Sequence, residues 1–292
     1  MTVLSPLVAG TWRLHEWGWS ASQRRDWIAG CIDRGVSSFD LADLYGGWTV
    51  EALFGEALTP ALRERSQLVT KCGIRPPGQE RGAARIKHYD SSAAYLRASV
   101  EQSLAALRTD RVELLLVHRP DPLLDPAEVA EALLALQRAG KVRAFGVSNF
   151  SPTQFSLLDA ALPDGAKLAS NQIELHPLHS APLFDGTLDQ ALQLGRRPML
   201  WSPLAGGRLL GGDDSPAAQR VRWVLGTVSA RLGTTPSTLA IAWGLRHPSR
   251  PHPVVGTRHL ARLQEALDAL ALPLDRESWS EILQAARGFE LP

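Results

Sequence analysis

The 292-residue sequence predicts an α/β fold, a (β/α)8 barrel closed by eight parallel strands and forming one domain over residues 1–292. Three observations carry that expectation. Eight short apolar or β-branched runs alternate with longer segments of helical period, the pattern of repeated βα units. No Gly-x-Gly-x-x-Gly turn follows an early run, the first ending Ala-Gly-Thr-Trp, so an open sheet with a dinucleotide crevice is disfavoured. Several runs end in ionisable groups instead of turn residues, as expected where the strands of a barrel deliver side chains to one mouth.

In chain order the predicted strands are 6–10, 36–40, 67–71, 112–118, 143–148, 168–172, 198–201 and 252–256. Helical patterns fill the intervals at 21–34, 50–58, 91–107, 126–139, 151–161, 183–193, 217–232 and 236–246, and 259–270 and 276–287 follow the last strand. Ser20, Asp125 before Pro126, and Ser151 before Pro152 are N-terminal caps. Gly35, Gly140 and Gly195 stand just past helical stretches, where a left-handed residue ends a helix. The long connections 73–89 and 206–215 follow the third and seventh strands, which makes them walls or lids of a site at the C-terminal face.

Composition narrows the function classes. The chain is 45% hydrophobic and 21% charged with net charge +1, and its basic residues are dispersed among acidic ones. No basic stripe points to nucleic acid. No run approaches the roughly 18 uncharged apolar residues of a membrane span. The N-terminus lacks the basic start and apolar core of a signal peptide, and Cys31 and Cys72 have neither metal nor disulfide-framework spacing. The expectation is a cytoplasmic monomer, since no coiled-coil heptad demands a partner. Nine tryptophans are unusual, and Trp12, Trp17, Trp19 and Trp48 fall near the N-terminus. With Tyr89 they read as an aromatic wall around a substrate, or as core packing.

Four residues at or just past strand ends carry the chemistry: Asp40, Tyr45, Lys71 and His118. A phenol of ordinary pKa about 10 is a poor acid at neutral pH. An ammonium beside it would lower that value and make Tyr45 a usable proton donor. Asp40 would pair with Lys71 and keep it charged, and His118 would hydrogen-bond a carbonyl oxygen. An acid, a base and a phenol at one mouth predict an enzyme that moves protons. A Schiff-base lyase using Lys71 is the rival chemistry, although a neighbouring carboxylate works against a nucleophilic amine.

These residues stand in motifs that resemble the aldo-keto reductases from about Gly10 to about Leu270. The motifs are Asp40-x4-Tyr45-Gly, Thr-Lys71, Leu-Leu-Leu-Val-His118-Arg-Pro, Gly146-Val-Ser-Asn149-Phe, Asn171-Gln172-Ile-Glu, Trp201-Ser-Pro-Leu and Gly256-Thr-x4-Arg262. Within the family the chain looks most like a bacterial branch of oxidoreductases carrying His-Arg-Pro-Asp-Pro. The resemblance implies a barrel binding NADPH/NADP+ in extended form, reduction of a small carbonyl substrate to an alcohol, and the tetrad Asp40, Tyr45, Lys71 and His118 with Tyr45 as proton donor.

It also implies a set of cofactor residues. Ser148, Asn149 and Gln172 match positions that bind the nicotinamide carboxamide, for which a hydroxyl and two amides are suited. Gly10, Thr11 and Trp12 approach from the first strand. Trp201 stands where the family often has a tyrosine stacked on the nicotinamide, a role that an indole can fill. Ser202, Pro203, Leu204, Gly206, Gly207 and Arg208 supply small residues and backbone N–H groups for the pyrophosphate. Gly256, Thr257, Arg258, Arg262 and Glu265 serve the adenine end, where two arginines suit a 2′-phosphate and favour NADPH over NADH. Ala266 replaces the asparagine that the family commonly has there. A second class of function remains open, a protein that senses NADPH and regulates a partner with only vestigial turnover.

Overall fold

The computed structural model describes residues 4–78 and 84–290, so residues 1–3 and the stretch 79–83 of the 73–89 connection lie outside the described residues. Eight parallel strands close into a barrel in the order β1-β10-β9-β8-β7-β6-β3-β2. They are β1 (Val8–Gly10), β2 (Ser38–Asp40), β3 (Gln67–Cys72), β6 (Val112–Val117), β7 (Val142–Ser148), β8 (Asn171–Glu174), β9 (Met199–Trp201) and β10 (His252–Val255). The other two strands, β4 (Ile74–Arg75) and β5 (His88–Tyr89), form a small antiparallel hairpin beyond the end of β3. That hairpin was read from sequence only as a connection.

Helices between the strands cover the barrel: α1 (Ala21–Asp33), α2 (Val50–Ala57), α3 (Pro60–Glu64), α4 (Ala93–Leu107), α5 (Pro126–Arg138), α6 (Pro152–Ala160), α7 (Thr187–Gln193), α8 (Pro216–Leu232) and α9 (Pro236–Leu245). The last two are α10 (Leu260–Asp268) and α11 (Arg276–Arg287). Their starts follow side-chain chemistry. Ser20 and Ser151 each close a capping box with the glutamine three residues on, and Asp125 accepts from two amides of the first turn of α5. Each cap satisfies donors that the helix cannot, worth about 1 kcal/mol. Gly35, Gly140 and Gly195 have the expected left-handed backbone.

Contacts divide the chain into two compact units, Met1–Gln172 and Ile173–Pro292. In the first, a ladder of rings runs edge-to-face from Trp19 through Trp17 and Trp27 to Phe39 and, tilted, on to Phe54, with centroids 4.8–5.9 Å apart. In the second, Trp243 of α9 and Trp279 of α11 stack 5.3 Å apart at 6°, and each indole N–H donates to the other's backbone carbonyl, at 3.2 and 3.0 Å. Both tryptophans sit in or against an apolar cluster that includes Leu200, Val221, Leu225, Val228 and Ile282.

Candidate active site

On β3 the side chains alternate. Thr70 is turned toward α2, donating to Glu51 Oε1 at 2.6 Å, and Lys71 is turned the other way. The Lys71 ammonium is fully buried and uses its three donors on Asp40 Oδ2 (2.8 Å), the Leu41 carbonyl (2.7 Å) and Tyr45 Oη (3.0 Å). Asp40 is the last residue of β2, and its other oxygen accepts from Gln172 Nε2 at 2.7 Å. Both carboxylate oxygens are therefore engaged.

Tyr45 follows on a short loop whose backbone is held at both sides. Its N–H donates to the Ala42 carbonyl, and its own carbonyl accepts from Thr49 and Val50, each at 3.2 Å. The chain then turns through Gly46, Gly47 and Trp48, all left-handed with φ of 57, 62 and 64°. A Cβ at Gly46 would sit 2.8 Å from the His15 ring, so only glycine suits that position. His118 lies directly after β6, its amide bonded to the Cys72 carbonyl and its ring edge-on to Tyr45 at 5.9 Å between centroids.

Burial decides the charge states. It pushes the Tyr45 phenol up, and the Lys71 charge lowers it by less, so the net value stands above the ordinary 10.0. The expectation that the ammonium alone makes Tyr45 more acidic is corrected: with the phenol buried, desolvation of a phenolate outweighs the attraction of Lys71. For Lys71 burial works downward, but Asp40 and Tyr45 together raise it above 10.5. Tyr45 keeps its proton, Lys71 keeps its charge, and the amine is no Schiff-base nucleophile.

His118 is held well below 6.5, by burial first and then by Lys71 and Arg119. The neutral ring has one N–H. Its Nδ1 is buried without a hydrogen-bond partner. An orphan acceptor is tolerated more readily than an orphan N–H, which puts the proton on Nε2.

Beside the tetrad, Ser148 ends β7. Its hydroxyl donates to the Gln172 carbonyl (3.0 Å) and accepts from Asn149 Nδ2 (2.7 Å), and the Asn149 amide donates to the same carbonyl (2.8 Å). Gln172 thus joins this group to Asp40, and all seven residues form one buried or half-buried assembly. Strand β8 runs to Glu174, which places Gln172 inside the strand and not at its end as read from sequence. Thr11 is fully buried, its amide and hydroxyl both bonded to the Asp40 carbonyl, directly after Gly10 of β1.

The aromatic residues are arranged less uniformly. Trp12 is 57% exposed beneath the Arg13 guanidinium. Trp17 and Trp19 make ring contacts with each other, and Trp17 also meets Trp27. Trp48 sits on the left-handed turn after Tyr45, and Tyr89 pairs with Ile74 in the hairpin. Two neighbours of the tetrad were not singled out from sequence. Arg119, next to His118 in the quoted motif, lowers both Tyr45 and His118. Asp43 donates its amide to the Lys71 carbonyl (3.0 Å) and accepts from Ser99 Oγ of α4 (2.7 Å).

In the second unit, Trp201 ends β9 and the chain enters a loop in which Ser202, Ala205, Gly206 and Gly207 have φ of 50, 53, 67 and 103°. Residues 203 and 204 lie within it. The loop is closed on itself: the amides of Ala205, Gly207 and Arg208 donate to the carbonyls of Ser202, Leu204 and Ala205, at 2.7, 2.9 and 3.3 Å. Arg208 is tied to Asp213 at 3.3 Å. Gly256 and Thr257 follow β10, and the Thr257 hydroxyl accepts from the His259 amide (3.1 Å) just before α10. Arg258 and Arg262 are exposed, whereas Glu265 accepts from Ser237 Oγ at 2.9 Å.

Among the described residues no group of three or more His, Cys, Asp or Glu could hold a metal, and no helix is long and apolar enough to cross a membrane. A family model for the aldo/keto reductases matches residues 6–287. The oxidoreductase YcsN of Bacillus subtilis is 45% identical over 99% of the chain and 96% of its own length. A 6-dehydroglucose reductase of Agrobacterium fabrum is 42% identical over the same shares. The solved structure of a glycerol dehydrogenase from Gluconobacter oxydans superposes with a TM-score of 0.83 at 25% identity, covering 99% of this chain and 94% of that one.

Proposed function

The chain belongs to the aldo/keto reductase family, and we propose that it is an NADPH-dependent reductase converting a small aldehyde or ketone to an alcohol, with Tyr45 as proton donor. The observation that carries this reading is the 3.0 Å hydrogen bond between Tyr45 Oη and the buried, charged Lys71 ammonium. When bound, the reduced nicotinamide supplies the hydride that the carbonyl carbon accepts. The donor set suits such a group: in the first unit Ser148, Asn149 and Gln172 would hold its carboxamide, and Gly10, Thr11 and Trp12 would approach it from the end of β1. In the second unit Trp201 would stack on its ring. The loop of Ser202, Pro203, Leu204, Gly206, Gly207 and Arg208 would take pyrophosphate, and Gly256, Thr257, Arg258, Arg262 and Glu265 the phosphorylated adenosine.

The protein's own part is to place and move one proton. Neutral His118 donates its Nε2–H to the carbonyl oxygen and polarises it. As negative charge develops on that oxygen, Tyr45 gives up its proton. The resulting phenolate stands 3.0 Å from Lys71 Nζ, a fixed positive charge in a medium where water does not screen it. Lys71 therefore acts on the product of proton transfer more than on the resting phenol, which burial keeps protonated. Asp40, engaged by Lys71 and Gln172, holds the ammonium in place.

For the substrate, Trp12, Trp48 and Tyr89 support an aromatic or medium-chain aldehyde, ketone or dicarbonyl, whereas Trp17 and Trp19 pack on the ring ladder that leads to Trp27 and Phe39. The 6-dehydroglucose reductase among the relatives supports adding an oxidised sugar to the same panel. Tyr45→Phe is the test of mechanism. It should lower carbonyl reduction by about 10²–10⁴-fold, the usual worth of general acid catalysis, and leave NADPH affinity near wild type. Turnover at the wild-type rate in that variant would remove Tyr45 from the role. Tight NADPH binding without reduction of any compound in a broad panel would favour a cofactor sensor instead.

A further inference from the structure

Between Ser148, the last residue of β7, and Ser151, the cap of α6, the chain reverses within two residues. Asn149 makes the turn with φ of 60°, a left-handed conformation that asparagine adopts more readily than other residues with a side chain but less readily than glycine. It persists only if its surroundings hold it. The N-terminal flank is held by the β7–β8 ladder, in which Ser148 is opposite Gln172 and the Asn149 amide reaches the Gln172 carbonyl. The C-terminal flank is beyond the ladder.

There the side chain of Asn171 takes over. Its Nδ2 donates to the Phe150 carbonyl at 2.8 Å, and its Oδ1 accepts from the Phe150 amide at 3.4 Å. The side-chain amide thus acts as one more peptide unit, pairing with a residue that the β8 backbone does not reach. Asn171 and Phe150 are both buried, at 8% and 3% exposure, so water does not compete for these bonds. The pinned segment is Asn149, and Asn149 Nδ2 is in turn bonded to Ser148 Oγ.

We propose that Asn171 is a positioning residue for nicotinamide recognition: by clamping Phe150 it fixes the left-handed turn that aims Asn149 and Ser148 at the carboxamide. This rests on the cofactor reading given above. Asn171 does not touch the cofactor. It sets the geometry of the two side chains that do, and so it affects the nicotinamide end of the ligand and leaves the phosphorylated adenosine end alone.

The test is a pair of titrations on purified full-length protein, with NADPH and with 2′-phospho-ADP-ribose, which lacks the nicotinamide. For Asn171→Ala the dissociation constant for NADPH should rise roughly ten-fold or more, the scale of one or two lost buried hydrogen bonds. That for 2′-phospho-ADP-ribose should stay within about two-fold of wild type by the same scale. Equal weakening of both ligands, or of neither, overturns the proposal. Should Asn171→Ala be too unstable to titrate, Asn171→Asp keeps the volume but sets an acceptor against the Phe150 carbonyl, and it must give the same selective loss. Wild-type protein that binds 2′-phospho-ADP-ribose and NADPH with equal affinity also overturns the proposal while leaving the adenosine site standing. Wild-type protein that binds neither overturns the cofactor reading itself, and this inference with it.

Discussion

At the scale of single residues, the sign of each perturbation matters more than its size. His118 is the plainest case, because its folded-state pKa lies well below 6.5, where an unfolded chain would titrate. Above 6.5 both states carry a neutral ring and the residue is silent in stability. As pH falls below that value the unfolded chain takes up a proton that the folded one refuses, so stability declines until the depressed folded pKa is reached. His176 and His247 are lowered as well and add to the same trend. Thermal melts of wild type and His118→Gln between pH 7.5 and 5.5, a range chosen to span the ordinary histidine value of about 6.5, should therefore show a smaller acid-induced drop for the variant. Equal drops would mean that His118 is protonated in the fold. The meeting of Asp40, Tyr45, Lys71 and His118 was legible in the sequence because Lys71 and His118 each stand at the end of an apolar run in neighbouring strands. What could not be read was the degree of burial, and that reverses the net shift of Tyr45. Asn171 and Arg119 stood inside quoted motifs, yet their effects depend on strand register and on through-space charge.

At the scale of elements, the close approach of α2 and α4 turns on one glycine. A Cβ on Gly55 would lie 2.2 Å from the Ala106 carbonyl and 2.8 Å from Leu107, all backbone atoms that cannot step aside as a side chain would. Alanine is the better helix former by about 1 kcal/mol, but overpacking costs about 1–3 kcal/mol and has the larger claim here. Urea unfolding of Gly55→Ala should show a net loss, and a gain would mean that the two helices can separate at little cost. Elements of ten residues or more were located from sequence within a residue or two, since period and caps agree: α1, α5 and α11 start where the pattern starts. Most shorter elements were located as closely, but the shortest were not read at all. The hairpin of β4 and β5 has two residues on each side, too few for an alternation to register, and α3 spans five. The predicted bounds of β8 lay too far toward the N-terminus, because Leu168 and Ala169 are apolar but precede the strand.

For the whole molecule, alternation of strand and helix was enough to expect a closed parallel barrel, and the barrel is found. A ligand that binds only the folded chain raises its stability by an amount set by occupancy, about 2.7 kcal/mol at a hundred times the dissociation constant. For a chain of this size that corresponds to roughly 5–10 °C in melting temperature. NADPH should give such a shift, and NADH at the same concentration a smaller one. Arg262→Ala should bring the two shifts together, and retention of the full difference would remove that arginine from 2′-phosphate recognition. These melts also have a built-in second channel. The parallel indoles of Trp243 and Trp279, locked face to face by their reciprocal N–H bonds, are close enough for their excited states to couple, and the exciton circular dichroism of such a pair disappears once the rings part. Residues 173–292 thus carry their own chiroptical clock, and loss of that signal ahead of, or behind, the bulk transition would date the unfolding of this half of the chain relative to the rest.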